Sequence, residues 1–266
     1  MESSFATCTV DELRAESARP FPPTIVDVRR RAAFEREPVR IPLSLRKEPE
    51  EVNGWAADLD RWRRVVVYCV HGLEVSHNAA RALREHGLDA AILDGGLERW
   101  QATEGIVEPW QPPTRWVTRQ RPKIDRLACP WFIRRFLDAS AEIHYVDPKR
   151  VLAFAAENDA VPFDVPDVEY THEGERCSFD AFVARHAAGD GALQKLAEVV
   201  RAADTHTLQR SPPAAGLLAI SLGLGHGLVD DSALLRHAML IYDALYAWCS
   251  GDARERHRWS PEAARG

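Results

Sequence analysis

An uninterrupted apolar run, Val65–Tyr68, ends directly at Cys69, and a helix-like stretch, Ser76–His86, follows a few residues later. The pattern predicts a buried strand that delivers Cys69 to a short loop before a helix. In such a loop, successive backbone N–H groups can converge on the sulfur, and the helix N-terminus adds its positive end. Both effects favour the thiolate, which is the nucleophilic form of cysteine. The alternative is a buried core cysteine, because free cysteine is among the most buried residue types.

Strand-like and helix-like segments alternate through the first part of the chain. The predicted strands are Ile25–Val28, Val65–Tyr68 and Ala91–Leu93, and the predicted helices are Val10–Ser17, Ala32–Glu35, Val52–Trp62, Ser76–His86 and Leu97–Glu104. This alternation predicts an α/β domain with a parallel sheet and helices on both faces.

Three short segments carry a resemblance to a known family. They are Asp27-Val28-Arg29 at a strand end, the Cys-x-x-Gly loop from Cys69 to Gly72, and the Asp-Gly-Gly-x-x-x-Trp segment from Asp94 to Trp100. In this order and spacing, over about residues 8–107, the chain resembles the rhodanese family. The resemblance implies a sulfurtransferase fold in which Cys69 carries sulfane sulfur as a persulfide, with Asp27, Arg29, His71 and Gly72 as accompanying site residues. It also implies a small-molecule sulfur donor and a thiol acceptor, and no required cofactor.

The active loop departs from the common pattern of that family in its charge. Many members place Arg or Lys in the loop, whereas this loop offers His71 and Glu74. A carboxylate beside an incoming thiosulfate costs energy by like-charge repulsion, so thiosulfate is predicted to be a poor donor. Phosphatases and arsenate reductases of this fold need Cys-x5-Arg, in which the arginine holds the oxyanion. The corresponding position here is Val75, which argues against phosphatase chemistry.

Composition limits the remaining possibilities. A length of 266 residues, 45% hydrophobic and 28% charged, suits a globular protein of two domains. No apolar run approaches the roughly 18 residues of a membrane span. The five scattered cysteines do not suggest a disulfide framework, and the N-terminus shows no secretory signal, so a cytoplasmic location is expected. The net charge of −6 argues against nonspecific nucleic-acid binding.

The proline-rich segment 109–113 reads as a linker between domains at residues 1–108 and 114–266. The second domain is predicted to be α+β with a helix-rich C-terminal half. Its predicted strands are Arg115–Thr118, Glu142–Val146 and Val168–Thr171; its predicted helices are an amphipathic segment from Asp125 to Phe136, then Lys149–Ala156, Phe179–His186, Ala192–Ala203, Pro213–Leu224 and Ser232–Cys249. The polar end, 251–266, is expected to be frayed.

This second half resembles the C-terminal domain of the chromate-resistance protein B family over about residues 116–250. The segments that carry the resemblance are Asp125–Trp131, Gly174–Asp180, Ala202–Thr205 and Tyr242–Tyr246. It implies a link to chromate transport and resistance, and some members are chromate-responsive regulators. Those regulators carry a DNA-binding-type first half, and here a rhodanese-like domain takes that place.

Arginines make an oxyanion site the first functional candidate in the second domain. Arg126 and Arg134 lie eight residues apart, near one face of a predicted helix. Guanidinium groups hold chromate, sulfate or phosphate through paired donors. The alternative is a solvated helix face with salt bridges.

A metal site is the second candidate. His172, Cys177, Asp180 and Asp204 are of the residue types that bind zinc or iron. The alternative is a structural role, with Cys177 in the core and Asp180 at a helix N-terminus.

The third candidate is a second thiol, Cys129 or Cys177, that accepts sulfur from Cys69. Near a helix start, Cys129 is predicted to have a depressed pKa. It can equally serve as a small hydrophobic residue.

Together these features predict a sulfurtransferase-like protein that carries sulfur on Cys69 and is linked to chromate or oxidative stress through its second domain. Two alternatives stay open. One is a non-catalytic sensor of chromate or thiol redox state, with Cys69 as the switch. The other is a metal-dependent enzyme in the second domain that receives sulfur from the first.

Overall fold

The computed structural model of the protein describes residues 6–251. Apart from Gly251, the predicted frayed end therefore lies outside the described residues. In chain order, the first half contains β1 (Thr7–Cys8), α1 (Val10–Ser17), β2 (Thr24–Asp27), α2 (Arg31–Arg36), β3 (Val39–Arg40), β4 (Leu45–Arg46), α3 (Val52–Trp55), β5 (Val65–Tyr68), α4 (Glu74–Glu85), β6 (Ala90–Leu93), α5 (Gly96–Ala102) and β7 (Glu108–Pro109).

Five of these strands form one parallel sheet in the order β1-β6-β5-β2-β4. The apolar run of β5 explains its central place, because all four of its residues are buried. Val65 and Val67 face a core that includes Trp55 of α3 and Leu83 of α4. The alternate residues of β5 pack on the opposite side with α1 and α5. The predicted parallel sheet with helices on both faces is confirmed.

The second half combines a small sheet with a helical bundle. Its elements are β8 (Arg115–Arg119), α6 (Asp125–Phe132), β9 (Glu142–Val146), α7 (Val151–Asn158), β10 (Val161–Pro162), α8 (Ser178–His186), α9 (Gly191–Asp204), α10 (Pro213–Gly227) and α11 (Asp231–Ser250). The three strands are parallel in the order β10-β8-β9. A π-helical turn, Ile133–Leu137, follows α6 and its internal Pro130. The predicted helix-rich α+β domain is confirmed.

Two predicted elements are wrong. Residues 168–171 form no strand and make one isolated bridge, Phe163 to Tyr170. The Tyr170 ring instead stacks on Phe182 with 4.2 Å between ring centroids, which holds this segment against α8. The helix predicted over 52–62 ends at Trp55, because Gly54 is a poor helix former and the chain continues as a 3₁₀ turn.

The second domain contacts the first at the amino end of the parallel sheet. Trp62, which precedes β5, donates from Nε1 to Asp243 Oδ2 over 3.2 Å. Arg135 Nη2 donates to Asp60 Oδ2 over 2.8 Å. Cys69 follows the opposite, carboxyl end of β5. The start of the predicted linker is held on the first domain, since Pro109 lies in β7 and pairs with Val39.

Among residues 6–251, no helix is both long and apolar enough to cross a membrane.

Candidate functional sites

The Cys69 loop lies between the end of β5 and the start of α4. The Cys69 side chain is nearly buried, with 6% of the residue exposed. The first helical hydrogen bond runs from His77 N to Leu73 O over 3.0 Å. Within the described part of the chain, no acceptor takes a hydrogen bond from the backbone N–H groups of residues 70–76. These unused donors, which follow Cys69 directly in the chain, can stabilise an anion.

The loop is held in place by the glycine segment before α5. Leu97 N donates to Cys69 O over 2.9 Å, and Glu98 N donates to Val70 O over 3.0 Å. Gly72 has a φ of +69°, and a Cβ there would lie 2.6 Å from Leu93 O. At Gly96 a Cβ would lie 2.5 Å from Cys69 O. The close approach of these two segments therefore requires glycine at both positions.

Charged side chains at the loop pair with neighbours. His71 Nδ1 lies 2.9 Å from Glu98 Oε2, and both side chains are exposed. Glu74 is also exposed, and its Oε1 lies 3.9 Å from Arg30 Nη2. Arg30 was not singled out in the sequence, although it directly follows Arg29. Arg30 supplies a cation near the loop, whereas the loop itself contains no arginine or lysine.

Asp27 and Arg29 form a buried ion pair beside this loop. Arg29 Nη2 donates to Asp27 Oδ2 over 2.6 Å, and each side chain is 1% exposed. The guanidinium also donates to the backbone oxygens of Glu37 and Val39. Every guanidinium nitrogen of Arg29 is thus engaged within the protein. This ion pair therefore stabilises the end of β2.

The second site is a cluster of carboxylates around His172, here called the His172 cluster (Asp125, Asp164, His172 and Asp204). His172 Nε2 lies 3.2 Å from Asp125 Oδ2, 3.3 Å from Asp164 Oδ1 and 3.5 Å from Asp204 Oδ2. Asp125 is the first residue of α6 and Asp204 the last of α9, while the other two lie in loops. The two helix ends and two loops thus converge on one imidazole nitrogen.

Burial dominates the electrostatics of the His172 cluster. It raises the pKa of Asp125 to about 7, against the opposing hydrogen bond from His172. That same hydrogen bond raises the pKa of His172 to about 9. Burial also raises the pKa of Asp204, which shares a hydrogen bond with Asp125. The group therefore holds its protons more tightly than the isolated side chains would.

Arginines neutralise one member of the His172 cluster. Asp164 Oδ2 accepts from Arg119 Nη2 over 2.5 Å and lies 3.2 Å from Arg126 Nε. Ser178 donates to the other oxygen of Asp164 over 2.8 Å. Arg126, predicted to bind an oxyanion, is thus paired with a carboxylate. Arg134, its predicted partner, instead donates to Ala141 O and lines a cavity between the domains.

Asp180 and Cys177, two of the predicted metal ligands, lie outside the His172 cluster. Asp180 forms a salt bridge of 2.8 Å with Arg201 and accepts from the backbone N–H of Cys177. Cys177 is the N-cap residue of α8 and is fully buried. Asp125 and Asp164 were not predicted as site residues from the sequence. Asp125 opens the segment Asp125–Trp131 quoted above, but Asp164 stands in no recognisable pattern.

Cys129 and Cys177 are both 0% exposed, so the structure does not present them as thiols for sulfur transfer. Burial raises the pKa of each well above the ordinary value for cysteine, and the charge of Asp125 adds to the effect. The depressed pKa predicted for Cys129 is wrong. The residue lies beyond the first turn of α6, within the hydrophobic core.

Known families match both halves of the chain. Residues 9–103 match the family described as "Rhodanese-like domain". Residues 116–249, half of the 266-residue chain, match "ChrB, C-terminal domain". The chain belongs to the ChrB C-terminal domain family. Both resemblances read from the sequence are confirmed, and the fused architecture is consistent with a link to chromate resistance.

Several known proteins are similar to parts of the chain. Protein ChrB of Cupriavidus metallidurans is 32% identical over 144 residues, which are 52% of this chain and 43% of that protein. The chain thus spans less than half the length of that relative. A rhodanese-related protein from Thermoplasma volcanium is 22% identical, over 39% of this chain and 98% of its own, with a TM-score of 0.35. A protein of unknown function from Rhodopseudomonas palustris, described as a possible tyrosine phosphatase, is 27% identical over 40% and 86%, with a TM-score of 0.34.

Proposed function

We propose that the protein is a sulfurtransferase that carries sulfane sulfur as a persulfide on Cys69. The observation that supports this most directly is the set of seven unused backbone N–H groups, residues 70–76, between the sulfur and the body of α4. A persulfide anion on Cys69 can accept hydrogen bonds from several of them. The positive end of α4 favours the same negative charge.

Five free cysteines suit a reducing cytoplasm, where we place the protein.

The reaction proceeds in two displacements. The Cys69 thiolate attacks the outer sulfur of a donor, the donor's sulfur–sulfur bond breaks, and the remainder of the donor leaves as an anion. An acceptor thiolate then attacks the outer sulfur of the Cys69 persulfide. The bond between the two sulfurs breaks, and Cys69 returns as the thiolate. No electrons are gained or lost overall, so no cofactor is needed.

The acceptor thiol comes from solution in this proposal. Cys129 and Cys177 are fully buried. The interdomain contacts through Asp60 and Trp62 lie at the amino end of the sheet, whereas Cys69 lies at its carboxyl end. A small thiol can reach the loop directly, because Leu73 is 63% exposed.

A transfer assay tests this proposal. The protein is loaded with glutathione persulfide, and intact mass is measured for the gain of one sulfur atom. Loading is expected in the wild type and in Cys249→Ser, and not in Cys69→Ser. Glutathione persulfide and cyanide are then both supplied in excess, and thiocyanate in molar excess over protein, formed faster than with Cys69→Ser, is expected. Loading without repeated turnover would instead support the thiol-redox sensor.

The link to chromate is proposed from the family of the second domain. Chromate is an oxidant, and oxidants convert cysteine thiolates to sulfenic acids and disulfides, so we expect the Cys69 thiol to matter for survival in chromate. A strain without this protein is complemented with the wild type or with Cys69→Ser. Equal growth in chromate of the two complemented strains would contradict the link.

We propose as a second function that the His172 cluster holds a divalent metal ion. One nitrogen and several carboxylate oxygens converge there, and the ligand atoms of Asp125, Asp164 and His172 all lie within 4.8 Å of one another. An oxygen-rich set with one imidazole suits Mn²⁺ or Fe²⁺ better than a thiolate zinc site. The predicted zinc or iron site thus keeps His172 and Asp204 and exchanges Cys177 and Asp180 for Asp125 and Asp164.

Metal content decides this second proposal. The purified protein is stripped with EDTA, incubated with Mn²⁺, Fe²⁺ or Zn²⁺, desalted and analysed for bound metal. About one Mn²⁺ or Fe²⁺ per chain is expected, and less in His172→Ala and Asp204→Asn. Asp180→Asn is the control, because Asp180 lies outside the cluster. No bound metal in the wild type would leave the cluster a proton-sharing structural network.

A further inference from the structure

A cavity of about 320 Å³ lies between the two domains. Asp60 and Arg63 line it from the first domain, and Trp131 and Arg135 line it from the second. A neighbouring cavity of about 460 Å³ has six lining residues in common with the first, among them Arg134. The two form one cleft, here called the interdomain cleft, of a size typical of small-molecule sites.

The interdomain cleft carries an excess of positive charge. Seven Arg or Lys side chains line the two cavities, against four Asp or Glu side chains. The chain as a whole has a net charge of −6, so the cleft is more positive than the chain average. Such a concentration favours an anionic occupant.

Arg134 lines both cavities and, among the described residues, forms no ion pair with a carboxylate. Its Nε donates to Ala141 O over 3.3 Å, and among the described residues its two Nη atoms have no hydrogen-bond acceptor. The adjacent Arg135, by contrast, pairs with both Asp60 and Asp243 at 2.8 Å. Burial accordingly lowers the pKa of Arg134. Arg134 thus has free donors where it borders both cavities.

Arg63 and Arg46 line the cleft from the first domain. The Arg63 side chain is 8% exposed, donates to the carbonyls of Pro22 and Pro23, and lies 4.0 Å from Asp60. Burial, and then the charge of Arg135, lower its pKa to about 10. Arg46 Nη2 pairs with Glu48 over 3.1 Å, and its buried Nε has no partner among the described residues. Guanidinium groups from both domains thus line the cleft.

The remaining walls are apolar. Leu59 and Ile25 contribute from the first domain, and Trp131, Phe136 and Met239 from the second. A bare inorganic anion would leave most of this surface without contact. An anion with an apolar body would use both the arginines and these side chains.

We propose that the interdomain cleft binds a small organic anion, with the charged group at Arg134 and Arg63 and an apolar body against Trp131 and Met239. Such a ligand contacts both domains at once, so its binding stabilises their association. Arg63 precedes the amino end of β5, whereas Cys69 follows its carboxyl end, so the proposed place of the charged group is separate from the sulfur-transfer site.

Two matched dyes test the proposal on the full-length protein. The first is 8-anilino-1-naphthalenesulfonate, an organic anion, and the second is N-phenyl-1-naphthylamine, its uncharged parent. Fluorescence titration should show saturable binding of about one anionic dye per chain, at least about tenfold tighter than the neutral dye; tenfold corresponds to about 1.4 kcal/mol. Equal affinity for the two dyes would overturn the proposal.

Variants locate the site. Arg134→Met should weaken binding of the anionic dye by about tenfold and leave the neutral dye unchanged, because a charge-assisted interaction is lost. Arg150→Met is the control, since Arg150 is exposed, pairs with Glu157 and does not line the cleft. Arg236→Glu is a second test, because Arg236 lines both cavities but its side chain is 58% exposed and tolerates substitution. It should also weaken the anionic dye. If both cleft variants behave like Arg150→Met, the cleft is a packing void.

Discussion

The Cys69 loop and the His172 cluster differ in how the chain builds them. The loop is one continuous stretch, residues 69–76, between a strand and a helix. The His172 cluster joins Asp125, Asp164, His172 and Asp204 from four separate parts of the second domain. A local site follows from secondary structure alone, whereas a converging site depends on how distant elements pack.

The two sites also differ in how their polar groups are satisfied. The loop leaves backbone donors of residues 70–76 unused, within the described part of the chain. The His172 cluster buries its carboxylates and pairs them with His172, Arg119 and Arg126. The first arrangement is ready to receive an anion, and the second already contains its anions. The following predictions test this contrast, from the largest expected effect to the smallest.

The cysteines should differ most in reactivity. Cys69 should alkylate with iodoacetamide at least about a hundredfold faster than the other four, because those thiols need local opening of a core before they react. Cys8, Cys129 and Cys177 are 0% exposed and Cys249 is 2% exposed. Peptide mapping after limited labelling measures the order. Labelling of Cys8 or Cys249 before Cys69 would remove the basis for the loop assignment.

The loop backbone should tolerate no side chain at residue 72. Gly72→Ala should destabilise the protein by about 3 kcal/mol, because a positive φ costs alanine about 1–2 kcal/mol and the new Cβ also meets Leu93 O. Gly174→Ala is the matched control, with a φ of +61° and nothing within 4 Å of a new Cβ. It should cost only the backbone term of about 1–2 kcal/mol. Urea unfolding measures both, and equal losses would contradict the close packing of this loop.

The His172 imidazole should titrate unusually high in EDTA-treated protein. NMR should give a pKa of about 9, and Asp125→Asn should lower it by roughly one unit or more, because that carboxylate supplies the main hydrogen bond. Asp180→Asn should leave it unchanged. The folded-state pKa lies above the ordinary value of 6.5, so the stabilisation is fully present below pH 6.5 and is lost as the pH rises through 9. A melting temperature that rises over this interval would contradict the arrangement.

The smallest effect concerns donor choice at the loop. Glu74→Arg should raise thiosulfate:cyanide activity by a factor of about two to five at low salt, because it replaces a repulsive charge near the incoming dianion. Glu85→Arg makes the same charge change about 16 Å away at the far end of α4 and should have a smaller effect, which disappears at about 0.1 M salt because the Debye length there is about 10 Å. Activity assays at two salt concentrations measure both variants. An unchanged or lower rate in a folded Glu74→Arg protein would contradict this electrostatic explanation.

Particular residues show what could be predicted in advance. The apolar run Val65–Tyr68 and the glycines Gly95 and Gly96 were sufficient to predict the parallel sheet and the position of Cys69. Arg29 was predicted at the site, yet its guanidinium is fully engaged with Asp27 and the backbone. Cys129 was predicted to be a reactive thiol, but it is buried in the core. Its position in α6 alone does not reveal that burial.

The sequence by itself determined the two domains, their families and the loop that carries Cys69, because these depend on local periodicity and on residues close together in the chain. Only the tertiary structure brought Asp164 and Asp125 to His172 and placed Arg63 and Arg134 in the lining of one cavity between the domains. It also decided which cysteines are inaccessible. Burial and the convergence of distant side chains are properties of packing, and no spacing along the chain encodes them directly.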